Sequence, residues 1–171
     1  MQKIWGLINF ACVLLALSAC GWQLRNNPLL TDPFGTVHIS HATSQMSLAV
    51  ELKRALQANN VTLVGAVDNA DYRIKILAVN QSRRISALNP NARASQYQIY
   101  QAVDYLVVDA WGTQIIPPTT ALAETDYNFD ESNILASESE EAFLQSNLRS
   151  KIVRQIVHRL GEVSYQRTGY P

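Results

Sequence analysis

Apolar and polar residues alternate in short and long runs along this chain, and the period of each run predicts an element. Residues 36–40 alternate with period two around Val37 and Ile39, which predicts a short strand. The next run has helical spacing, with apolar positions at Leu48, Leu52, Ala55 and Leu56. It ends at Asn59-Asn60, a pair that tolerates the left-handed conformation found after many helices. A strand followed by a helix is therefore expected.

Three longer runs follow with a period of two, and each predicts a long strand. They cover residues 71–79, 97–107 and 119–129. Asn89-Pro90-Asn91 and Trp111-Gly112-Thr113 supply turn residues between them. Pro117-Pro118 lacks the N–H groups that a central strand needs, so the third strand is expected to resume near Thr119.

A long amphipathic helix is predicted at the end of the chain, over residues 139–160. Its apolar stripe is Leu144, Leu148, Ile152, Ile156 and Leu160. Both predicted helices have one apolar face and must bury it against the same layer. The pattern predicts an α+β fold with two helices packed on one face of a mixed, roughly four-stranded sheet.

The N-terminus has the order of a secretory signal, with a cation at Lys3 ahead of an apolar run over residues 4–17. The run closes on Leu17-Ser18-Ala19-Cys20, which matches the bacterial lipobox. This predicts removal of residues 1–19 and attachment of diacylglycerol and an N-acyl chain to Cys20. Several acyl chains anchor a protein firmly, whereas one chain does so only marginally. An ordinary signal peptide with an accidental cysteine is the alternative.

Residues 20–35 read as an acylated tether, 36–165 as the folded domain and 166–171 as a tail. By resemblance to enterobacterial sorting rules, Gly21 after the cysteine favours the outer membrane, with the domain on its periplasmic side. The mature chain has 13 basic and 14 acidic residues, because Lys3 leaves with the signal, so no net charge draws it to nucleic acid. Cys12 also leaves with the signal, so no disulfide is expected.

Catalytic and metal chemistry find little support in the sequence. His38 and His41 lie three residues apart, but the strand between them turns them in opposite directions, and solvent-facing histidines are the expectation. Asp126, Asp130 and Glu131 have the chemistry of a glycosidase pair, yet nothing else indicates a sugar cleft. No catalytic residue, metal or cofactor is predicted, apart from the acyl chains on Cys20.

The distribution of charge is more informative than its sum. Residues 94–148 contain no Lys or Arg, whereas cations concentrate on the first long hairpin. Arg83, Arg84 and Arg93 flank its turn together with Ile85 and Leu88. Guanidinium groups bind phosphate through paired hydrogen bonds, and apolar neighbours suit acyl chains, so a phosphorylated glycolipid is a candidate ligand. Arginines that merely keep the surface soluble are the alternative.

The N-terminal motif resembles that of a known family. Cys20 followed by Gly21-Trp22-Gln23-Leu24-Arg25 is similar to the C-G-[WF]-x-L-R start of the lipopolysaccharide-assembly lipoprotein family LptE. Further similarities lie at Tyr97-Gln98-Ile99, Tyr127-Asn128-Phe129-Asp130, Ile134-Leu135-Ala136 and Glu140-Glu141. The resemblance implies a two-helix, four-stranded domain that plugs the β-barrel protein LptD and helps deliver lipopolysaccharide to the outer leaflet.

By the same resemblance, Arg83, Arg84 and Arg93 occupy the hairpin where lipopolysaccharide contacts are expected. An acidic loop is expected at Ser137-Glu138, and it offers no second cationic contact. Polar strand residues such as Gln96, Gln98 and Gln101 would suit the wet lumen of a large barrel. The alternative function is a free-standing, periplasm-facing lipoprotein that binds a lipid or glycan without entering a barrel.

Overall fold

A mixed sheet of five strands forms one layer of the fold, and two helices form the other. The computed structural model describes residues 35–168, with side chains through Val163, so the predictions about the signal peptide and Cys20 lie outside the described residues. The elements are β1 (Thr36–Ser40), α1 (Met46–Ala58), β2 (Thr62–Leu63), β3 (Tyr72–Leu88), β4 (Ala94–Asp109), β5 (Gln114–Asn128) and α2 (Ile134–Thr168).

The strand order is β2-β1-β3-β4-β5. β1 pairs in parallel with both β2 and β3, whereas β3, β4 and β5 form an antiparallel meander. The predicted α+β class, with two helices against a mixed sheet, is confirmed. The sheet has one strand more than expected, because the two-residue β2 pairs with the start of β1.

The core lies between the helices and alternate residues of the strands. Ile99, Val103 and Val107 of β4 are at most 1% exposed and share one parity along the strand. The predicted helical stripes pack against them, and their fully buried members are Leu48, Leu52, Leu56, Leu148, Ile152, Ile156 and Leu160. Hydrophobic burial by these residues therefore fixes the two layers.

The expectation that Pro117-Pro118 would delay the third long strand is wrong. β5 begins at Gln114 and includes both prolines. It is an edge strand, and its pairing with β4 shifts register between Tyr105 and Val107, opposite the two prolines. Proline is tolerated at such a position because an edge strand at a bulge does not need every N–H group.

The last helix begins five residues earlier than predicted, at Ile134 rather than Ser139. Asn133 accepts the first helical hydrogen bonds, from the N–H of Ala136 to its Oδ1 (3.4 Å) and from the N–H of Ser137 to its carbonyl oxygen (3.1 Å). The expected acidic loop at Ser137-Glu138 is therefore a helical turn, in which Ser137 is buried and Glu138 is exposed.

The β3–β4 hairpin extends well beyond β1. β1 pairs with β3 only over Tyr72–Lys75, and residues 80–86 of β3 are all exposed. The end of the sheet that carries Arg83, Arg84 and Arg93 is called the arginine end, and the opposite end, at the β4–β5 turn, is called the Trp111 end. Within the described residues, no helix is both long and apolar enough to cross a bilayer.

Candidate functional site at the arginine end of the sheet

The turn between β3 and β4 holds the arginine end together through Asn89. The Oδ1 atom of Asn89 accepts hydrogen bonds from the N–H groups of Asn91 (2.9 Å) and Arg93 (3.0 Å). Its own N–H donates to the carbonyl oxygen of Arg93 at 2.8 Å. Ala92 completes the turn in a left-handed conformation, with φ of 59°. The predicted turn thus brings Arg93 back towards the last residues of β3.

Arg83 is held by a polar network rather than left free. Its Nη1 atom lies 2.8 Å from Oε2 of Glu141 on α2. The Tyr127 hydroxyl donates to the same oxygen at 2.5 Å, and Gln145 Nε2 donates to Oε1 at 3.0 Å. Glu141 is only 18% exposed, so its charge depends on these donors. The network joins β3, β5 and α2.

Three aromatic rings support this network from the core side of the sheet. The Arg83 guanidinium carbon lies 4.5 Å from the centroid of the Tyr97 ring. Tyr97 stacks on Tyr127 at 5.9 Å and meets Phe129 edge-on at 5.1 Å. These contacts fix the position of the guanidinium group above β4.

The protonation states follow from this arrangement. Burial, together with the hydrogen bond to Glu141, raises the pKa of Tyr127 to about 12, so the hydroxyl keeps its proton. Burial alone would raise the pKa of Glu141, but the hydrogen bonds from Tyr127 and Arg83 outweigh it and lower that pKa. The hydrogen bonds to Glu141 and Tyr127 raise the pKa of Arg83 further. The network therefore holds a carboxylate, a neutral phenol and a guanidinium cation.

Arg84 and Arg93 are held more loosely. Arg93 Nη1 lies 2.8 Å from Glu131 Oε2, but the two side chains are 67% and 44% exposed. Such surface ion pairs contribute about 0–1 kcal/mol. Arg84 donates from Nε to the neutral Gln98 Oε1 at 2.6 Å and forms no ion pair within the described residues. Both guanidinium groups can exchange these contacts for an anionic ligand at little cost.

The structure thus divides the three predicted contact residues into two roles. Arg83 anchors the hairpin to α2, whereas Arg84 and Arg93 are available to a ligand. Ile85 and Leu88 lie between Arg84 and Arg93 in the sequence of the hairpin and are 54% and 59% exposed. The arginine end therefore combines available guanidinium groups with exposed aliphatic side chains.

The other candidate residues have separate surroundings. His38 and His41 are both partly exposed, and their Nδ1 atoms lie 3.2 Å and 3.0 Å from backbone carbonyl oxygens. Asp130 accepts hydrogen bonds from Ser132, which lower its pKa, and Glu131 pairs with Arg93. In the part of the chain that the structure describes, no group of three or more His, Cys, Asp or Glu residues is arranged to hold a metal ion.

The face of the sheet opposite the helices carries a ladder of polar pairs. Cross-strand hydrogen bonds join Arg84 to Gln98, Gln96 to Asn128 (2.9 Å) and Thr120 to Asp104 (2.5 Å). Gln96 and Gln98 belong to this polar face, as expected. Gln101 does not, because it shares the parity of Ile99 and Val103 and is only 4% exposed under the helices.

Sequence reasoning missed the partners that fix Arg83. The sequence pattern assigns Glu141 to the start of the last helix and Tyr127 to the third long strand, but it does not indicate that the two side chains meet. The pairing of Tyr97 with Tyr127 depends on the register of β4 and β5, and the Arg83–Glu141 pair spans 58 residues. The sequence offered one signal: Tyr97 and Tyr127 each begin a segment that resembles the LptE family, Tyr97-Gln98-Ile99 and Tyr127-Asn128-Phe129-Asp130.

Solved structures share this fold over most of the chain. Lipoprotein B from Nitrosomonas europaea has 20% sequence identity and a TM-score of 0.71, covering 87% of this chain and 94% of its own. Rare lipoprotein B from Shewanella oneidensis has 19% identity and a TM-score of 0.68, covering 78% and 98%. A minor lipoprotein from Acinetobacter baumannii has 22% identity and a TM-score of 0.63, covering 78% and 93%. At these identities the likeness establishes the fold alone.

Fold and site together define a two-layer α+β domain with a cationic hairpin. The family model of LptE, described as lipopolysaccharide-assembly, matches residues 34–160. The chain therefore belongs to the LptE family, whose members are non-enzymatic lipopolysaccharide-assembly lipoproteins of the Gram-negative envelope and need no cofactor. No curated protein sequence matches the chain significantly.

Proposed function

We propose that this chain is an outer-membrane lipoprotein, anchored through acylated Cys20, whose domain plugs the LptD β-barrel during lipopolysaccharide export. Membership of the LptE family supports the role in lipopolysaccharide assembly. The polar ladder over β3, β4 and β5 supports the plug, because a wide barrel has a polar, hydrated interior. The domain makes and breaks no bond, and its work is binding.

Direct contact with lipopolysaccharide forms the second part of the proposal. Phosphate groups of the glycolipid bind Arg84 and Arg93, and acyl chains contact Ile85 and Leu88. The observation that carries this assignment is that two weakly held guanidinium groups share one end of the hairpin with two exposed aliphatic side chains. Arg84 lies on the face opposite the helices, and Ile85 lies on the other face. Arg83 contributes through the N–H groups that do not face Glu141, while it holds the hairpin in place.

Purification tests the anchor and the partner. Mild detergent extraction should yield a stoichiometric complex of the full chain with LptD, and mass spectrometry of the chain should show acyl chains on Cys20. An unmodified N-terminus, or release by osmotic shock, would contradict the anchor. Acylated protein that never associates with a barrel would instead support the free-standing lipid- or glycan-binding lipoprotein.

A pair of double variants tests the ligand contact. Arg84→Ala with Arg93→Ala should weaken lipopolysaccharide binding about tenfold or more, since charge-assisted hydrogen bonds contribute about 1.5–3 kcal/mol each. Lys53→Ala with Arg54→Ala on α1 removes the same charge from another surface and should leave the affinity unchanged. Equal affinities of the two variants would refute the assignment. Both should still co-purify with the barrel.

A further inference from the structure

Trp111 is the most exposed large apolar side chain of the described residues, with 89% of its surface open to solvent. Tryptophan is a costly residue to leave in water, because its ring has a large apolar area. A tryptophan exposed in this way is open to contact with an apolar or interfacial surface of another molecule. The arginine-end contacts do not involve it.

The turn that carries Trp111 is fixed by buried polar contacts. Asp109 is 7% exposed, and its Oδ1 accepts hydrogen bonds from the N–H groups of Trp111 (3.0 Å) and Thr113 (2.8 Å). Gly112 adopts φ of 87°, which lets the chain reverse, and Arg73 donates to the carbonyl oxygen of Ala110 at 3.1 Å. Because the backbone of the turn is already ordered, a contact made by Trp111 costs little further entropy.

The Trp111 end is also where the described chain begins. Tyr72 of β3 pairs with Val37 of β1 on one side and with Asp109 of β4 on the other. Adjacent strands lie about 4.8 Å apart, so Thr36 and Asp109 are on the order of 10 Å apart. Val67, which is 38% exposed, lies at the same end, since the Thr36 hydroxyl donates to the carbonyl oxygen of Asn69.

We propose that Trp111 inserts into the headgroup region of the phospholipid bilayer that holds the Cys20 anchor. The inference rests on the proposed acylation of Cys20. Gly35 lies 15 residues after Cys20 in the sequence, and such a segment spans at most about 50 Å. Tryptophan prefers the membrane–water interface, where its ring is apolar and its N–H group meets polar headgroups.

A single tryptophan binds a membrane weakly, so the anchor is essential to this contact. Tethering makes the second contact intramolecular and raises its effective concentration. Asp68 and Asp71 are exposed beside β1 and β3, so the Trp111 end is not drawn to anionic lipid by its charge. The insertion therefore depends little on salt, and it places the Trp111 end, rather than the arginine end, at the headgroups of the leaflet that holds the anchor.

Tryptophan fluorescence of the acylated full chain tests the proposal. After removal of the predicted signal, the chain contains Trp22 and Trp111, so Trp22→Phe leaves Trp111 as its one emitter. In phosphatidylethanolamine vesicles its emission should shift to the blue, and lipids brominated near the carbonyl groups should quench it. Acrylamide quenching should fall several-fold relative to the matched control, at both low and high salt.

The matched control moves the emitter to the other end of the molecule. It carries Trp22→Phe, Trp111→Phe and Phe143→Trp, because Phe143 near the start of α2 is 65% exposed. Its tryptophan should stay open to acrylamide and unaffected by brominated lipid. Equal accessibility in the two proteins overturns the inference, as does protection of Trp111 that appears only when LptD is added. Unmodified Cys20, seen by mass spectrometry of the same sample, overturns both this inference and the proposed anchor.

Discussion

The two halves of the β3–β4 hairpin are stabilised by different interactions, although the same two strands run through both. Towards the Trp111 end, Ile74, Val103 and Val107 are buried beneath the helices. Towards the arginine end, residues 80–86 of β3 are exposed. There the hairpin is held by the Arg83–Glu141 ion pair, the Tyr127 hydroxyl and the stacked rings of Tyr97 and Tyr127. One half is held by buried area, and the other by a small number of specific contacts.

The comparison teaches that the fold and the site can be changed separately. The core half is close-packed, so it tolerates little loss of side-chain volume. At the arginine end, the exposed contacts of Arg84 and Arg93 contribute little to global stability, whereas the network of Arg83, Tyr127 and Glu141 contributes more. Ligand-contact variants at the arginine end are therefore expected to fold, which is what a binding test requires.

The largest difference should appear when one side chain is truncated in each half. Ile152 of α2 is 0% exposed, and Ile152→Ala should lower the free energy of unfolding by about 2–5 kcal/mol through lost burial and a cavity. Leu88→Ala at the hairpin turn removes a 59% exposed side chain and should change it by less than about 0.5 kcal/mol. Denaturant unfolding measures both, and comparable losses would break the comparison.

The next effect is the pH dependence that Tyr127 imparts. Its folded pKa is raised from 10 to about 12, so its contribution to stability is complete below pH 10 and is lost as pH rises towards 12. The wild-type chain should lose about 2 kcal/mol of its free energy of unfolding through this group as the pH rises, and Tyr127→Phe should not show that loss. Measuring the free energy of unfolding against pH checks this. Glu141→Gln should keep much of the slope, because burial is the larger cause. An unchanged slope in Tyr127→Phe would show that the phenol is not held as described.

The core half was largely predictable from the sequence, because periodicity reports burial. The parity of β4 and the stripe Leu148, Ile152 and Ile156 both point to the core as expected. The same periodicity places Gln101 inside, beside Ile99 and Val103, so its position was available from the pattern. Strand order was not available, and Pro117-Pro118 is acceptable only because β5 is an edge strand.

For the arginine end, the sequence predicts which residue types gather at the hairpin but not how their side chains pair. The sequence identifies Arg83, Arg84 and Arg93 with their apolar neighbours, but not their partners. Glu131 and Glu141 come from the segment before α2 and from its early turns, and α2 starts where the sequence has no helical stripe. The Arg83–Glu141 pair spans 58 positions of the sequence, and the Arg93–Glu131 pair spans 38. Such contacts depend on tertiary packing, which a local sequence pattern does not report.

A smaller effect should separate the two paired arginines. Arg83→Ala leaves the mostly buried Glu141 without its cation and should cost about 1–2 kcal/mol, because a buried carboxylate loses a hydrogen bond. Arg93→Ala breaks an exposed pair and should cost about 0–1 kcal/mol. Thermal and denaturant unfolding of the two variants measure the difference. A greater loss for Arg93→Ala would reverse the roles assigned to the two residues.

The smallest effect has the opposite sign and tests the geometry of the turn at the arginine end. Ala92 has φ of 59°, a left-handed conformation that costs a residue with a Cβ atom about 1–2 kcal/mol. Ala92→Gly removes that strain but gives the unfolded chain more freedom, which offsets part of the gain. The net result should be stabilisation by about 0.5 kcal/mol in denaturant unfolding, with lipopolysaccharide binding retained, since Asn89 still holds Arg93.

The matched control for this variant is Ala87→Gly, five residues earlier in β3. Ala87 lies in a strand, where a glycine lowers stability by about 0.5–1 kcal/mol because it gains no relief from strain. The two substitutions remove the same methyl group, so their difference in the free energy of unfolding reports the backbone conformation at position 92. Equal destabilisation by Ala92→Gly and Ala87→Gly would mean that the turn does not adopt the left-handed conformation.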